Sequence, residues 1–321
     1  MLNQIVQFFS SIPFFSSVAF GIIAMVIVGS SWCLVGLVMG DAPKKGIEPS
    51  LVQMGGGIFS VCFSLMILVA TSAYPTSSPK ATFLTCLTYF VGSMLNFVML
   101  QLMAKAMQLG PNGVIWSIIQ SAMVFQFLVG MIFFDVAFTW LRGAGIVFLL
   151  AALVLFAVTQ DNSGKGGKWK VLAIAGLVIT AIQQNLSVLP SYYPEADKVP
   201  SIVRVIATEA GFLISAVVWN LVRMNREHWE KIKSNLKNGM LWKYTIALQF
   251  FNLFFSYTLH FPGMNVMADK GMGAMCYPMM VGSCIVSFTL SSIWLLKEKM
   301  KPVQLAALIA CIGGLILICT K

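Results

Sequence analysis

Long stretches of this chain contain apolar residues and no charge. Ser17–Met39 and Leu51–Ala73 are two of them, and similar stretches follow along the sequence. A helix needs about 20 apolar residues to cross the hydrocarbon core of a bilayer, and within that core a helix satisfies its own backbone polar groups. The stretches therefore predict an all-α protein that crosses a membrane many times.

The composition supports the same class. Of the 321 residues, 58% are hydrophobic and only 10% are charged, whereas soluble domains carry about 25% charged residues. The net charge of +10 would suggest nucleic acid for a soluble protein. Here the basic residues lie in the connections between apolar stretches, so we expect a lipid bilayer and no nucleic acid as partner.

We predict ten membrane-spanning helices. Their approximate bounds are 17–39, 51–73, 82–104, 112–134, 140–159, 168–190, 200–222, 242–264, 272–296 and 302–319. Residues 1–16 contain four phenylalanines and are predicted to form an interfacial segment. The polar stretch Arg223–Asn238 is predicted to be a surface helix or loop that serves as a solvated connection.

The basic residues also predict an orientation, because cytoplasmic loops collect Lys and Arg. With ten spans, fifteen of the 21 Lys and Arg residues fall on one face and five on the other, and Arg204 falls within a span. We therefore expect a protein of the cell (inner) membrane with both termini outside.

Short similarities relate the two halves of the chain. The segment 49–53, Pro-Ser-Leu-Val-Gln, opens the second span, and the segment 200–204, Pro-Ser-Ile-Val-Arg, opens the seventh. Asp135 precedes the fifth span as Glu298 precedes the tenth, and Gly110 and Gly273 share that offset. These matches predict a duplication.

The duplicated halves are predicted to be residues 1–160 and 161–321. Since each half has an odd number of spans, five, the second half must be inverted in the membrane. Inverted repeats are frequent in carriers that alternate access around a central site.

The second half closes with Glu-Lys-Met-Lys-Pro-Val-Gln at 298–304, followed by a helix rich in Ala and Gly. The first half has a degraded copy, with Leu141 where a Gln is expected. The chain thereby resembles the drug/metabolite transporter superfamily of ten-helix carriers.

Within that superfamily, Ala-Pro-Lys-Lys at 42–45, Gly-Gly-Gly-Ile at 55–58 and Pro-Ser at 200–201 are most similar to the L-rhamnose–proton symporter and related sugar porters. The resemblance implies a sugar-type cargo and proton coupling. Other branches are usually drawn with termini inside, so the predicted orientation departs from theirs.

Three charged or titratable residues within spans are candidates for function. Glu209 lies near the middle of the seventh span, where a charge is costly, so it should face a cavity and exchange protons, or else hydrogen bond to a neighbouring helix. Arg204 either extends to the outer surface or holds cargo. His260 precedes Phe-Pro-Gly, which predicts a broken helix, and it either relays protons or packs as a neutral residue.

Uncharged polar residues within the spans predict a polar central cavity. Amides donate and accept hydrogen bonds, which suits hydroxylated cargo, although any one amide can also join two helices. Aromatic faces suit the apolar face of a sugar ring. The cavity candidates are Trp32, Gln53, Tyr89, Asn96, Trp116, Gln120, Gln183, Gln184, Arg204, Asn252 and Tyr257.

The prediction is a secondary active transporter of a small polar metabolite of the sugar class, coupled to protons. An exporter of amino acids, nucleobase-like metabolites or drugs on the same fold is the alternative. We expect no enzyme activity, because no catalytic constellation is evident, and no metal or cofactor. A membrane-embedded enzyme, a lipid scramblase and a purely structural protein are less favoured, and both a monomer and a homodimer are open.

Overall fold

The computed structural model describes residues 13–133, 139–158, 167–295 and 302–319. Within these ranges the chain is helical and contains no β-strand. Asp135 and Glu298, which support the predicted repeat, and residues 1–12 of the predicted interfacial segment lie outside the described residues.

The described α-helices are named here in chain order. They are α1 (Val18–Ser31), α2 (Cys33–Asp41), α3 (Pro49–Thr71), α4 (Pro79–Leu109), α5 (Asn112–Gln120), α6 (Met123–Phe133), α7 (Trp140–Val158), α8 (Lys168–Val188), α9 (Ser201–Val222), α10 (Arg226–Lys237), α11 (Gly239–Phe255), α12 (Phe261–Asp269), α13 (Cys276–Leu295) and α14 (Pro302–Cys319).

Seven helical stretches in the described ranges are long and apolar enough to cross a membrane. They are Val18–Lys45, Pro49–Thr71, Pro79–Leu109, Asn112–Phe133, Lys168–Val188, Ser201–Val222 and Cys276–Leu295. Large apolar side chains on the outer surfaces of these helices are exposed. Met66 and Val69, for example, are 68% and 72% exposed. A lipid environment accommodates such a surface, so these helices support a multi-pass membrane protein.

Shorter apolar helical stretches run over Trp140–Ala152 and Leu305–Gly314. Another long helical run, from α11 to α12, is interrupted by the π-helical turn Ser256–His260. Pro262 has no N–H to donate to the preceding turn, and insertion of a π turn is a common way to accommodate a disturbed ladder. The break lies where the Phe-Pro-Gly sequence predicts one.

Two further breaks divide apolar runs. Trp32 separates α1 from α2, and Ser121 and Ala122 separate α5 from α6.

Small residues allow helices to cross at close distance. A Cβ on Gly211 of α9 would lie 2.3 Å from the carbonyl oxygen of Phe90 in α4. Without strong hydrophobic pressure in lipid, such close backbone approach is a main source of helix association.

The helices pack in a definite set of neighbours. Helix α4 contacts α8 and α9, α1 contacts α12 and α13, and α3 contacts α9 and α11. Helices α5 and α6 contact α8, and α7 packs along α14. This arrangement places α2, α3, α4, α5, α8, α9, α11 and the π turn around one central space.

Candidate functional site

A cavity of about 200 Å³, lined by both polar and apolar side chains, lies among the central helices. Eleven of the thirteen residues proposed from the sequence line it. They are Trp32, Gln53, Tyr89, Asn96, Trp116, Gln120, Gln183, Gln184, Glu209, Asn252 and His260. Arg204 and Tyr257 are not among the lining residues. The roles of all thirteen in transport stay predictions.

Glu209 supplies the buried carboxyl group of this cavity. Glu209 is 5% exposed, and its Oε1 accepts a hydrogen bond of 3.0 Å from the Asn252 amide Nδ2. No ion pair to a described basic residue involves Glu209, and no Lys or Arg is among the described residues that line the cavity. The carboxyl therefore faces the cavity with an amide neighbour and no counter-ion among the described lining residues.

Some lining amides already join helices. Gln53 accepts from Gln101 Nε2 at 2.8 Å and donates to the Met39 sulfur at 3.4 Å. Gln249 Oε1 accepts from the Ser60 hydroxyl at 2.8 Å, and a Cβ on Gly56 would lie 2.2 Å from Gln249 Nε2. These amides hold α3 against α2, α4 and α11. Their hydrogen bonds therefore join helices.

Other lining amides have no hydrogen bond to another described residue. Asn96 and Gln120 make none, and the buried Oε1 of Gln184 lacks a partner although that residue is 3% exposed. Buried polar atoms are almost always satisfied in native proteins. These amides are therefore the ones whose polar atoms remain available to water or cargo.

Aromatic rings gather at the break in α1–α2 and the π turn. The Trp32, His260 and Tyr277 rings lie 6.1–6.4 Å from one another, and His260 stacks on Phe261 at 4.9 Å. The His260 Nε2 atom is buried without a partner. Trp116, by contrast, is 2% exposed and packs on Phe288 at 5.1 Å, so most of its ring belongs to the hydrophobic core.

Arg204 has a different environment from either expectation. It is 6% exposed, so it does not extend to the outer surface. Its Nε donates to the Val199 carbonyl at 2.9 Å, and its Nη2 donates to the Ala196 carbonyl at 2.8 Å. The guanidinium thus fixes the loop before α9. Tyr257, the other predicted residue that does not line the cavity, lies in the π turn.

The cavity lining also includes polar residues that the sequence prediction omitted: Thr180, Ser187, Thr208, Gln249, Ser256 and Tyr277. Helical spacing would have found several of them. Thr180, Gln184 and Ser187 follow one face of α8 at steps of four and three. Gln249, Asn252, Ser256 and His260 follow one face of α11 and its continuation. Tyr277, at the start of α13, has no such signal.

Within the described residues, no group of three His, Cys, Asp or Glu side chains is placed to hold a metal ion. The chemistry that the lining residues offer is hydrogen bonding, stacking on aromatic rings, and proton exchange at a carboxyl or imidazole.

Comparisons with known proteins identify a fold. No protein-family model and no curated protein matches the chain. A solved structure described as "Crystal structure of protein" superposes with a TM-score of 0.62 at 15% identity, covering 94% of this chain and 96% of its own. At that identity the likeness shows a shared helical fold over nearly the whole chain and nothing of its activity.

Proposed function

We propose that this protein is a secondary active transporter that carries a small polar metabolite of the sugar class by proton-coupled alternating access. The observation that carries the proposal is the central cavity, in which residues from both halves of the chain surround a buried carboxyl group. Such a cavity, at the junction of two repeats, is the usual position of a cargo site in carriers.

The neighbour pattern of the helices supports ten spans in a five-plus-five inverted repeat. The spans would be α1–α2, α3, α4, α5–α6 and α7 in residues 1–160, and α8, α9, α11–α12, α13 and α14 in residues 161–321. Each span of the first half has a counterpart at the same position in the second half. When every span is exchanged with its counterpart, the α4–α8 contact corresponds to the α12–α1 contact, and the α4–α9 contact corresponds to the α11–α3 contact.

The remaining neighbours obey the same exchange. The contact of α1 with α13 corresponds to that of α8 with α5 and α6, whereas the α3–α9 and α7–α14 contacts correspond to themselves. A pseudo-twofold axis in the membrane plane produces this pattern. Two interchangeable halves are what a carrier needs to open to one face and then to the other.

The coupling residue in this proposal is Glu209. A proton bound to its carboxyl removes the cost of a charge in the cavity, and Asn252 moves with α11, next to the π turn and the aromatic rings. Proton binding at Glu209 would thereby change the balance between the two arrangements of these helices. His260 is the second candidate on the proton route.

The cargo is proposed to be neutral and hydroxylated. Lining amides provide both donors and acceptors, and the absence of Lys and Arg from the described lining leaves an anion without a counter-charge. The Trp32, His260 and Tyr277 rings favour a second candidate, export of a flat nucleobase-like compound, amino acid or drug. The Lys/Arg distribution supports the inner membrane, with the Lys/Arg-rich face cytoplasmic and the termini outside.

The test is uptake by proteoliposomes under an imposed pH gradient. Labelled monosaccharides, amino acids and nucleosides are offered to wild type, Glu209→Gln and a matched control, Glu230→Gln. Glu230 is exposed on α10 and pairs with Lys233, so its neutralisation removes a carboxylate far from the cavity.

We expect gradient-driven accumulation of a monosaccharide by wild type and the control, and at least a tenfold loss in Glu209→Gln. Accumulation of another solute class would argue against a sugar as cargo and would favour the second candidate, the exporter. Sugar accumulation that is indifferent to the gradient and to Glu209 would refute proton coupling at this residue.

A further inference from the structure

Helix α10 is an amphipathic helix with three distinct faces. His228, Ile232 and Asn235, spaced by four and three residues, are buried against the rest of the protein. Asn235 accepts from the Glu48 backbone N–H at 2.9 Å, and His228 Nε2 contacts Asn220 Oδ1 at 3.1 Å. One face of α10 is therefore fixed on the ends of α3 and α9.

A second face of α10 combines aromatic, apolar and basic residues. Its members are Arg226, Trp229, Lys233 and Leu236, which follow each other at steps of three and four, and Lys237, four residues after Lys233. This spacing places them on one side of the helix. Trp229 and Leu236 are 47% and 44% exposed, and the Lys233 ammonium lies 5.5 Å from the centre of the Trp229 ring. This set is called the basic–aromatic face.

The position of Trp242 shows where the basic–aromatic face points. Its indole N–H donates to the Leu236 carbonyl at 3.0 Å. Along α11, Trp242, Ile246, Phe250 and Phe254 form an exposed apolar stripe at steps of four, as expected for a side that faces lipid. Leu236 therefore continues that stripe, and the basic–aromatic face adjoins the surface of the bilayer.

The third face of α10 is suited to water. It holds Glu227, Glu230, Lys231 and Ser234, with a Glu227–Lys231 ion pair of 3.0 Å. Glu230 also pairs with Lys233 at 3.0 Å. Exposed ion pairs of this kind contribute little to stability. The Glu230 pair therefore does not prevent the Lys233 ammonium from binding another anion.

We propose that the basic–aromatic face of α10 binds the headgroups of anionic phospholipids. Tryptophan and leucine insert at the level of the headgroups, and flexible Lys and Arg side chains next to them reach phosphate groups. Glu227 of α10 lies on the other side, towards water, and Glu230 lies at the border of the two faces, where it pairs with Lys233. This inference requires only a multi-pass membrane protein and is independent of the proposed transport activity.

The experiment counts lipids bound to the purified full-length protein by native mass spectrometry. Phosphatidylglycerol or phosphatidylcholine is titrated into the detergent-solubilised protein. The test variant is the triple change R226Q/K233Q/K237Q. The matched control is K44Q/K168Q/K231Q, which also removes three exposed positive charges, but none of them from the basic–aromatic face.

We expect wild type to prefer phosphatidylglycerol. Since each basic residue near an anionic surface contributes about a fivefold change in affinity, the triple variant should lose at least about tenfold, while the control stays within about twofold. A K233R/K237R variant, which keeps the charges, should bind as wild type does. The proposal is overturned if the triple variant keeps its affinity, if the control loses as much, or if the arginine variant loses binding.

Discussion

The two ends of the helix bundle differ in how the halves of the chain are joined. At the end that contains the α2–α3 connection and α10, named here the basic end, side chains from the two halves interlock. Tyr244 donates to Asp41 and receives a hydrogen bond of 2.9 Å from Lys45, while Arg223 pairs with Glu48 at 3.4 Å.

At the opposite end, the α3–α4 and α8–α9 connections meet through a simpler contact. The Glu195 carboxylate accepts from the Ser78 backbone N–H at 3.0 Å and pairs with Lys198 at 3.1 Å. Arg204 fixes the loop before α9 through carbonyls of its own half of the chain, and it also interacts with the Tyr89 side chain of the first half. If the halves rock against each other as proposed, opening the basic end requires the larger network to break.

The largest effect should come from Asn220→Leu. Asn220 Oδ1 accepts from the buried Ser50 hydroxyl at 3.1 Å and contacts His228, and each buried partner left unpaired costs about 1–3 kcal/mol. We expect a lower free energy of unfolding in mixed micelles. A cysteine introduced at the cavity residue Thr208 should also react faster with an impermeant reagent from the basic end. Leu221→Ala, on the lipid-facing side of α9, is the control, and equal losses in both variants would argue against a gate.

Asn235→Ala should have a smaller effect in the same direction. It removes the acceptor of the Glu48 N–H and a weak donor to the Gly46 carbonyl, a loss of about 1–2 kcal/mol. Ser234→Ala, exposed next to it on α10, provides the comparison. Unchanged accessibility in Asn235→Ala would mean that α10 moves with the first half of the chain during opening.

Tyr244→Phe tests the exposed edge of the network. Loss of its hydroxyl removes bonds to Asp41 and Lys45 in a partly solvated position, and we expect about 0.5–1.5 kcal/mol in the unfolding experiment. Tyr74→Phe, at the opposite end and 65% exposed, should be neutral. A larger effect for Tyr74 would reverse the comparison.

The smallest effect should come from Glu195→Gln. The Ser78 backbone N–H, together with the Ser78 and Lys198 side chains, lowers the pKa of Glu195 to about 2. A lowered pKa contributes stability above the unfolded value, and that contribution is lost only as pH falls through the folded value. Between pH 5 and 8 Glu195 stays ionised, so its substitution should shift transport and stability equally at every pH. A pH-dependent difference would assign a switching role to the opposite end.

Much of the architecture could be predicted from the apolar runs, because lipid leaves helices as the way to satisfy a buried backbone. The break before α12 was predictable as well, since Pro262 cannot donate a backbone hydrogen bond. For the polar stretch 223–238, however, the sequence indicates only a solvated surface helix or loop. Only tertiary contacts of His228 and Asn235 distinguish its buried face from its two exposed faces.

Much of the cavity lining could be predicted from the sequence, but the hydrogen bonds among the lining residues could not. Polar residues within apolar helices must turn away from lipid, so Asn96, Gln184 and Glu209 were expected at a central space. The sequence could not show that Gln53 is occupied by Gln101. Nor could it show that Arg204 bonds loop carbonyls, because those partners are set by how the chain packs.

The central claim is that a proton at Glu209 changes which end of the bundle is open. The most direct measurement is pulsed electron spin resonance on spin-labelled protein in lipid nanodiscs at pH 8 and pH 5. One label pair, at Lys44 and Lys231, spans the basic end, and another, at Lys80 and Asp197, spans the opposite end. We expect lower pH to shift the two distance distributions in opposite directions in wild type and to shift neither of them in Glu209→Gln. Distances that ignore pH, or that shift in the same way without Glu209, would contradict it.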